Sequence, residues 1–183
     1  MPKVSQEHLE RRRQQILHAA RECFTKQGFH NTSMQDIFKA SGLSAGAVYR
    51  YFPSKHQLVK AIAEESLEIA MARLSPAGDA PQSMADIVTV LGGAFATDGS
   101  LAAIRPIVLQ VWAQAPRDPE MAAIAREVLG RLEERIERVL PPGSPPGVAW
   151  LLMATLQGLL VQSLVFGDIT LEQVATAARA AFR

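Results

Sequence analysis

A single cysteine, Cys23, stands in 183 residues. That excludes an internal disulfide and any zinc site built from several cysteines, and it suits a reducing cytoplasm. The four histidines (His8, His18, His30 and His56) lack the HExxH spacing that sets two imidazoles on one helix face, so no metal is expected. Neither a GxGxxG nor a GxxxxGK[ST] loop is present to cradle a phosphate, and no cofactor is expected. Strand signals are almost wanting. The N-terminus carries charge from Lys3 onward and has no apolar core of signal-peptide type.

The run Gly42-Leu43-Ser44-Ala45-Gly46 fits the GxSxG elbow of serine hydrolases. That elbow works only on a strained strand-to-helix turn at a parallel sheet. Here the preceding segment reads as helix and no sheet is available, so no enzyme and no catalytic residue is expected.

The net charge of +1 conceals an asymmetry. Residues 1–60 hold ten Lys/Arg against four Asp/Glu, a net +6, which leaves −5 on the remaining 123 residues. A basic front suggests a polyanion partner. One stretch, Val148 to Phe166, carries no charge and approaches membrane-spanning length. Thr155, Gln157, Gln162 and Ser163 within it, and the absence of a flanking basic cluster, favour a buried or subunit-interface helix over a membrane span.

Helical periodicity and caps recur along the chain. A first helix is predicted from Glu7 to Gln27, burying Ile16, Leu17, Ala20, Cys23 and Phe24 and stopping at Gly28. A capping box over Thr32-Ser33-Met34-Gln35 opens a second, which ends at Ser41-Gly42. Ser44 caps a short third helix through about Tyr51. Ser54 and Gln57 open a long helix to about Leu74, and Ser75 to Pro81 is loop composition. Further helices are read at Ser83–Thr97, Leu101–Ala115, Asp118–Leu140, Gly147–Phe166 and Thr170–Phe182, with a capping box at Thr170–Gln173.

The second and third helices, joined by Ser41-Gly42-Leu43-Ser44, form a helix-turn-helix pattern. Gly42 allows the tight turn, Leu43 plugs the core between the crossing helices, and Ser44 caps a helix whose first N–H groups can face a phosphate. Val48 and Phe52 point inward, which leaves Tyr49, Arg50 and Tyr51 toward nucleic acid. The fold class is all-α: an N-terminal three-helix head, residues 1–53, joined to a helical effector and dimerisation body, residues 54–183.

From Ile16 through Leu58 the chain resembles the TetR family of bacterial transcription regulators. The resemblance rests on Ile16-Leu-His-Ala-Ala, Phe24-Thr-Lys-Gln-Gly-Phe, Thr32-Ser-Met-Gln-Asp-Ile, the run Ser41 to Phe52, and Ser54-Lys55. It implies phosphate contacts from Thr32 or Ser33, Ser44, Tyr49, Tyr51 and Lys55. It places Ala45 and Gly46 near base edges and makes Arg50 a further reader. Ala45 can touch a thymine methyl but cannot hydrogen-bond a base. Arg11-Arg12-Arg13 reads either as an arm for a neighbouring minor groove or as a solvated helix face.

The family's bodies are usually dimeric through their last two helices. In this chain Leu151, Leu152, Thr155, Gly158, Leu159, Gln162 and Phe166 form the predicted interface, with Gly158 permitting close approach. A pocket is predicted among Met71, Leu91, Phe95, Ile104, Val108 and Trp112. Arg105 interrupts that apolar run and is expected either to meet an anionic effector or to pair with Glu127 or Glu134. The implied protein is a cytoplasmic homodimeric repressor that binds double-stranded DNA at a palindromic operator and is released by a small, mainly apolar effector. A DNA-binding helical scaffold without a ligand is the alternative, and no membrane partner is expected.

Overall fold

A computed structural model of the chain describes residues 6–72, 83–96, 101–167 and 169–181. The loop expected at Ser75–Pro81 lies outside the described residues. Helix α1 (Gln6–Asn31) is interrupted at Gly28, whose φ of +81° and ψ of 161° are not helical, and resumes for one turn beyond it. The predicted stop is therefore a bend. Helices α2 (Met34–Ser41) and α3 (Ala45–Tyr49) follow, and α4 (Lys55–Ala72) leads out of the head. The body comprises α5 (Met84–Ala94), a 3₁₀ turn at Ala102–Ile104, α6 (Arg105–Gln114), α7 (Pro119–Val139), α8 (Val148–Val165) and α9 (Leu171–Ala181).

Two further boundaries differ from the sequence reading. The helix expected over Leu101–Ala115 divides into the 3₁₀ turn and α6, with Pro106 in the first turn of α6. Proline has no N–H to give and so belongs where helix N–H groups lack partners anyway. The cap of α2 is shifted by one residue. Ser33 is the N-cap, donating its backbone N–H to Asp36 at 2.8 Å and accepting from the Asp36 N–H at 3.2 Å. Thr32 is instead buried, its hydroxyl donating to the Gly28 carbonyl at 2.7 Å across the bend.

The head closes on a core of Ile16, Leu17, Ala20, Phe24, Ile37, Val48, Phe52, Leu58 and Ile62, all buried. Cys23 belongs to the same core, and burial pushes its thiol pKa up. In the body, α5 packs against α8 and α9. A methyl at Gly92 would lie 2.9 Å from Val174 Cγ1 and 3.3 Å from Leu159 Cδ1, so the helices approach at a point where no side chain fits. Val174 is β-branched and stiff at χ1, which leaves it little room to yield. Gly92→Val is accordingly expected to lower stability by about 1–3 kcal/mol through overpacking. Thermal melts should show a midpoint lowered by several degrees; an unchanged midpoint would show that the three helices can spread at no cost.

Helix α4 joins the two halves. Its inward side buries Leu58, Val59, Ile62 and Leu67. Its outward side meets α7 through Lys60–Glu127 at 2.7 Å, Arg131–Glu64 at 3.1 Å, Arg131–Glu68 at 3.2 Å and Arg135–Glu68 at 2.6 Å. Glu127 and Glu134 thus find Lys60 and Arg138 as partners, whereas the Arg105 Nε donates to the Ala102 carbonyl. The expected Arg105 ion pairs with these glutamates do not form.

Candidate nucleic-acid interface and helical cavity

The turn between α2 and α3 is built as the glycine requires. Gly42 takes φ +66°, ψ 21°, its N–H reaching the Lys39 carbonyl while the Leu43 N–H reaches that of Phe38. These paired bonds satisfy carbonyls that the end of α2 leaves open. Gln15 of α1 donates to the Ser41 carbonyl at 2.7 Å and pins the same corner. Ser44 then caps α3 by accepting from the Ala47 N–H at 3.3 Å. Its place between two helices leaves no strand for a hydrolase elbow to stand on.

Val48 and Phe52 face inward as the spacing predicts. Ser44, Ala45, Gly46 and Arg50 are exposed, and Tyr49 is 49% exposed with its ring edge-on to Phe38 at 5.2 Å. Tyr51 is half-buried against the core. Ser33 is exposed, but its hydroxyl is shared with Asp36, and those Ser33 bonds hold the Asp36 carboxyl below its usual pKa. Thr32, turned inward, has no surface to offer a phosphate, a correction to the expected contact. Arg11, Arg12 and Arg13 lie on α1 and contact Glu7, Gln15 and Glu10 respectively, so they form a helix face and no separate arm.

Lys55 is unexpectedly drawn inward. Its ammonium donates to the Phe29 carbonyl at 2.7 Å and sits 4.5 Å from the Phe29 ring centre. Burial pulls its pKa down, only partly offset by Asp36. The residue therefore ties the first turn of α4 to the tail of α1.

Sequence reasoning missed the body's grip on that tail. Gln110 of α6 accepts from the Phe29 N–H at 2.7 Å and donates to the Phe24 carbonyl at 3.2 Å. Its side-chain amide occupies the break at Gly28 and supplies bonds that the interrupted helix cannot. Nearby, His30 Nε2 lies 2.7 Å from Gln114 Oε1, and His56 Nε2 lies 2.7 Å from Asp118 Oδ2. The His56 hydrogen bond is the main cause holding the Asp118 carboxyl below its ordinary pKa, with the Met121 N–H adding to it.

The same helix α6 walls a cavity of about 150 Å³. Leu91, Phe95, Ile104, Val108 and Trp112 line it, joined by side chains of α4, α7 and α8. Met71, the sixth residue expected there, is buried in the packed core and does not line it. Gln157, missed from sequence, does.

On α8 the expected interface residues divide. Leu151 is 58% and Phe166 84% exposed, Gln162 is exposed, and Thr155 and Gly158 are half-buried. Leu152 is fully buried in the subunit's own core, and half-buried Leu159 packs against that core toward Gly92, a correction to the predicted face. The outward stripe instead includes Trp150 at 67% and Val165 at 62% exposure, with Ala154 and Val161 between them. Helix Val148–Val165 is long and apolar enough to cross a membrane by composition. Its inner side, however, buries its own Leu152, Met153, Leu156 and Leu160 within the subunit.

A capped helix-turn-helix exposing small and polar side chains, on a helical body with an apolar cavity among its helices, defines a DNA-binding transcription regulator. Residues 16–62 match the family described as bacterial regulatory proteins, tetR family, and residues 83–183 match the BetI-type transcriptional repressor C-terminal family. The chain belongs to the TetR family and carries a body of BetI type. It is 29% identical over 147 residues to the HTH-type regulator YfiR of Bacillus subtilis, covering 80% of this chain and 72% of that one. It is 33% identical over 118 residues to the regulator UidR of Escherichia coli, covering 62% of this chain and 57% of UidR. Among solved structures, Salmonella enterica GusR superposes with a TM-score of 0.73 at 29% identity, over 97% of this chain and 95% of GusR.

Proposed function

We propose that this TetR-family repressor acts in the cytoplasm as a homodimer, holds a palindromic operator through α3 of each subunit, and lets go when a small effector fills the cavity. The observation that supports this reading is the double use of α6, which walls the cavity on one side and grips the bend of α1 on the other. An occupant that displaces α6 pulls on the head directly. A tenfold loss of operator affinity needs only about 1.4 kcal/mol of preference for the displaced geometry.

At the DNA, Ser44, Tyr49 and Arg50 are the exposed contacts, with Ala45 and Gly46 brought close to base edges, Ser33 at the start of α2, and Tyr51 and Lys55 behind them. An ammonium has three donors. Phe29 takes one of those on Lys55, and the others serve a phosphate, so Lys55 would bridge the backbone of the operator to the tail of α1.

Operator sites selected from random duplexes should be palindromic, with half-sites about one helical turn apart or slightly more. On such a site Lys55→Met keeps an apolar stem over Phe29 and removes the charge. Its expected signature is weaker binding and a shallower salt dependence, by about 0.9 for each phosphate that a lysine no longer neutralises, hence roughly two per dimer. A lowered melting point with an unchanged slope would show that Lys55 only ties helices together. Fractionated cell extract added to the complex tests the effector: release by some fraction supports the reading, and none in any fraction would leave a repressor without a ligand.

A further inference from the structure

We infer that the cavity's ligand is a neutral molecule about the size of a single ring, with one hydrogen-bonding group that the carboxamide of Gln157 reads. The inference deepens the effector reading above and rests on it.

Size comes first. An apolar cavity of about 150 Å³ accepts a molecule the size of benzene. Typical pockets for larger ligands run from roughly 300 to 1,000 Å³. Charge comes second. Among the described residues the lining contains no Asp, Glu, Lys, Arg or His. An ion entering it would lose its hydration with no counter-charge to meet, and the attraction of a cation to the faces of Trp112 or Phe95 is small beside that loss.

Polarity comes third, and it points to one residue. Among the described residues two hydrogen-bonding side chains besides the Trp112 indole line the space, Ser66 and Gln157. The Ser66 hydroxyl already donates to the Ile62 carbonyl at 2.7 Å. Gln157 is half-buried between Leu156 and Leu160, which line the same wall, and none of the described hydrogen bonds involves it. A carboxamide offers two donors and an acceptor with two lone pairs. Held in an apolar wall, it favours a ligand that completes those bonds over one of the same shape that cannot.

A matched series of one-ring probes tests this on the full-length protein. Trp150→Phe removes the exposed indole, so that Trp112 alone reports binding. Toluene has the ring without a hydrogen-bonding group, benzamide adds a neutral one, benzoate an anion and benzylammonium a cation. Benzamide should bind about tenfold more tightly than toluene and at least tenfold more tightly than either ion. Gln157→Leu should erase the benzamide advantage while toluene still binds, which also shows that the cavity has survived the substitution. Gln157→Glu should admit benzylammonium.

Benzamide binding no tighter than toluene, or an advantage that persists in Gln157→Leu, overturns the role of Gln157. An ion that binds as tightly as benzamide and releases the operator overturns the neutral class but leaves the effector site standing. If none of the four probes changes Trp112 fluorescence or the melting temperature, and no extract fraction releases the operator, the effector site and this inference fall together.

Discussion

Leu151→Arg should convert a micromolar dimer into monomers and strip operator affinity with it. Leu151 is more than half exposed on the isolated subunit, so the arginine there stays in water and disturbs the monomer by no more than about 0.5 kcal/mol. In a two-fold dimer the same substitution enters the contact twice, because such an interface uses one patch on both copies. An unpaired buried charge costs about 3–5 kcal/mol, so two of them raise the dimer dissociation constant by roughly ten-thousandfold or more. Operator affinity falls further than any single contact explains. The second head, no longer tethered beside the first, forfeits an effective-concentration gain on the order of 10²–10⁴. Sedimentation equilibrium is the direct measurement, and a wild-type protein that sediments as a monomer at micromolar concentration would remove the interface altogether. Leu159→Arg serves as the contrast. That charge lands against Gly92 inside the subunit, so unfolding rather than dissociation is expected.

Gln110→Leu should loosen the head without touching DNA or ligand. The leucine leaves the Phe29 N–H and the Phe24 carbonyl without the side chain that bridges them. Each partly buried group left unsatisfied costs about 1–3 kcal/mol, so the pair accounts for several degrees of melting temperature. The location of the loss is the sharper readout. Hydrogen exchange should accelerate at Phe29 and the turn that follows it while the core of α5, α8 and α9 stays protected. If the bridge transmits the effector's displacement, the variant should also need more effector to leave the operator. Uniform destabilisation with unaltered release would assign Gln110 to stability alone.

The head is legible in the sequence because its signals are local. Gly42, Ser44, Val48 and Phe52 occupy positions that a tight turn and a four-residue period dictate, and the structure puts each where that physics requires. The cap of α2 differs by one residue because two hydroxyls stand side by side. The sequence does not say that Thr32 is consumed by the Gly28 carbonyl. Neither the inward pull on Lys55 nor the bridge from Gln110 can be read from spacing, since their partners lie 26 and more than 80 positions away. On α8 the difficulty is phase. A helix that is apolar on every side has a period but no polar face to fix its rotation, and so Leu152 and Leu159 are expected outside when they point in. Leu91 and Phe95, and likewise Ile104, Val108 and Trp112, line the cavity because a four-residue spacing keeps side chains on one helix face.

The charged seam between α4 and α7 bears on any titration with salt. Each of its four ion pairs is still partly open to solvent, and a pair of that kind is modest in strength and weakened as ionic strength rises. Together they hold one side of the helix that carries the head, so concentrated electrolyte softens the mount as it displaces the protein from phosphate. The dependence of operator affinity on salt is then the sum of counterion release by the DNA and relaxation within the protein. Its raw steepness overcounts phosphates. The seam is identical in wild type and Lys55→Met, so the difference between their two slopes cancels the relaxation and isolates what Lys55 itself does at the phosphate.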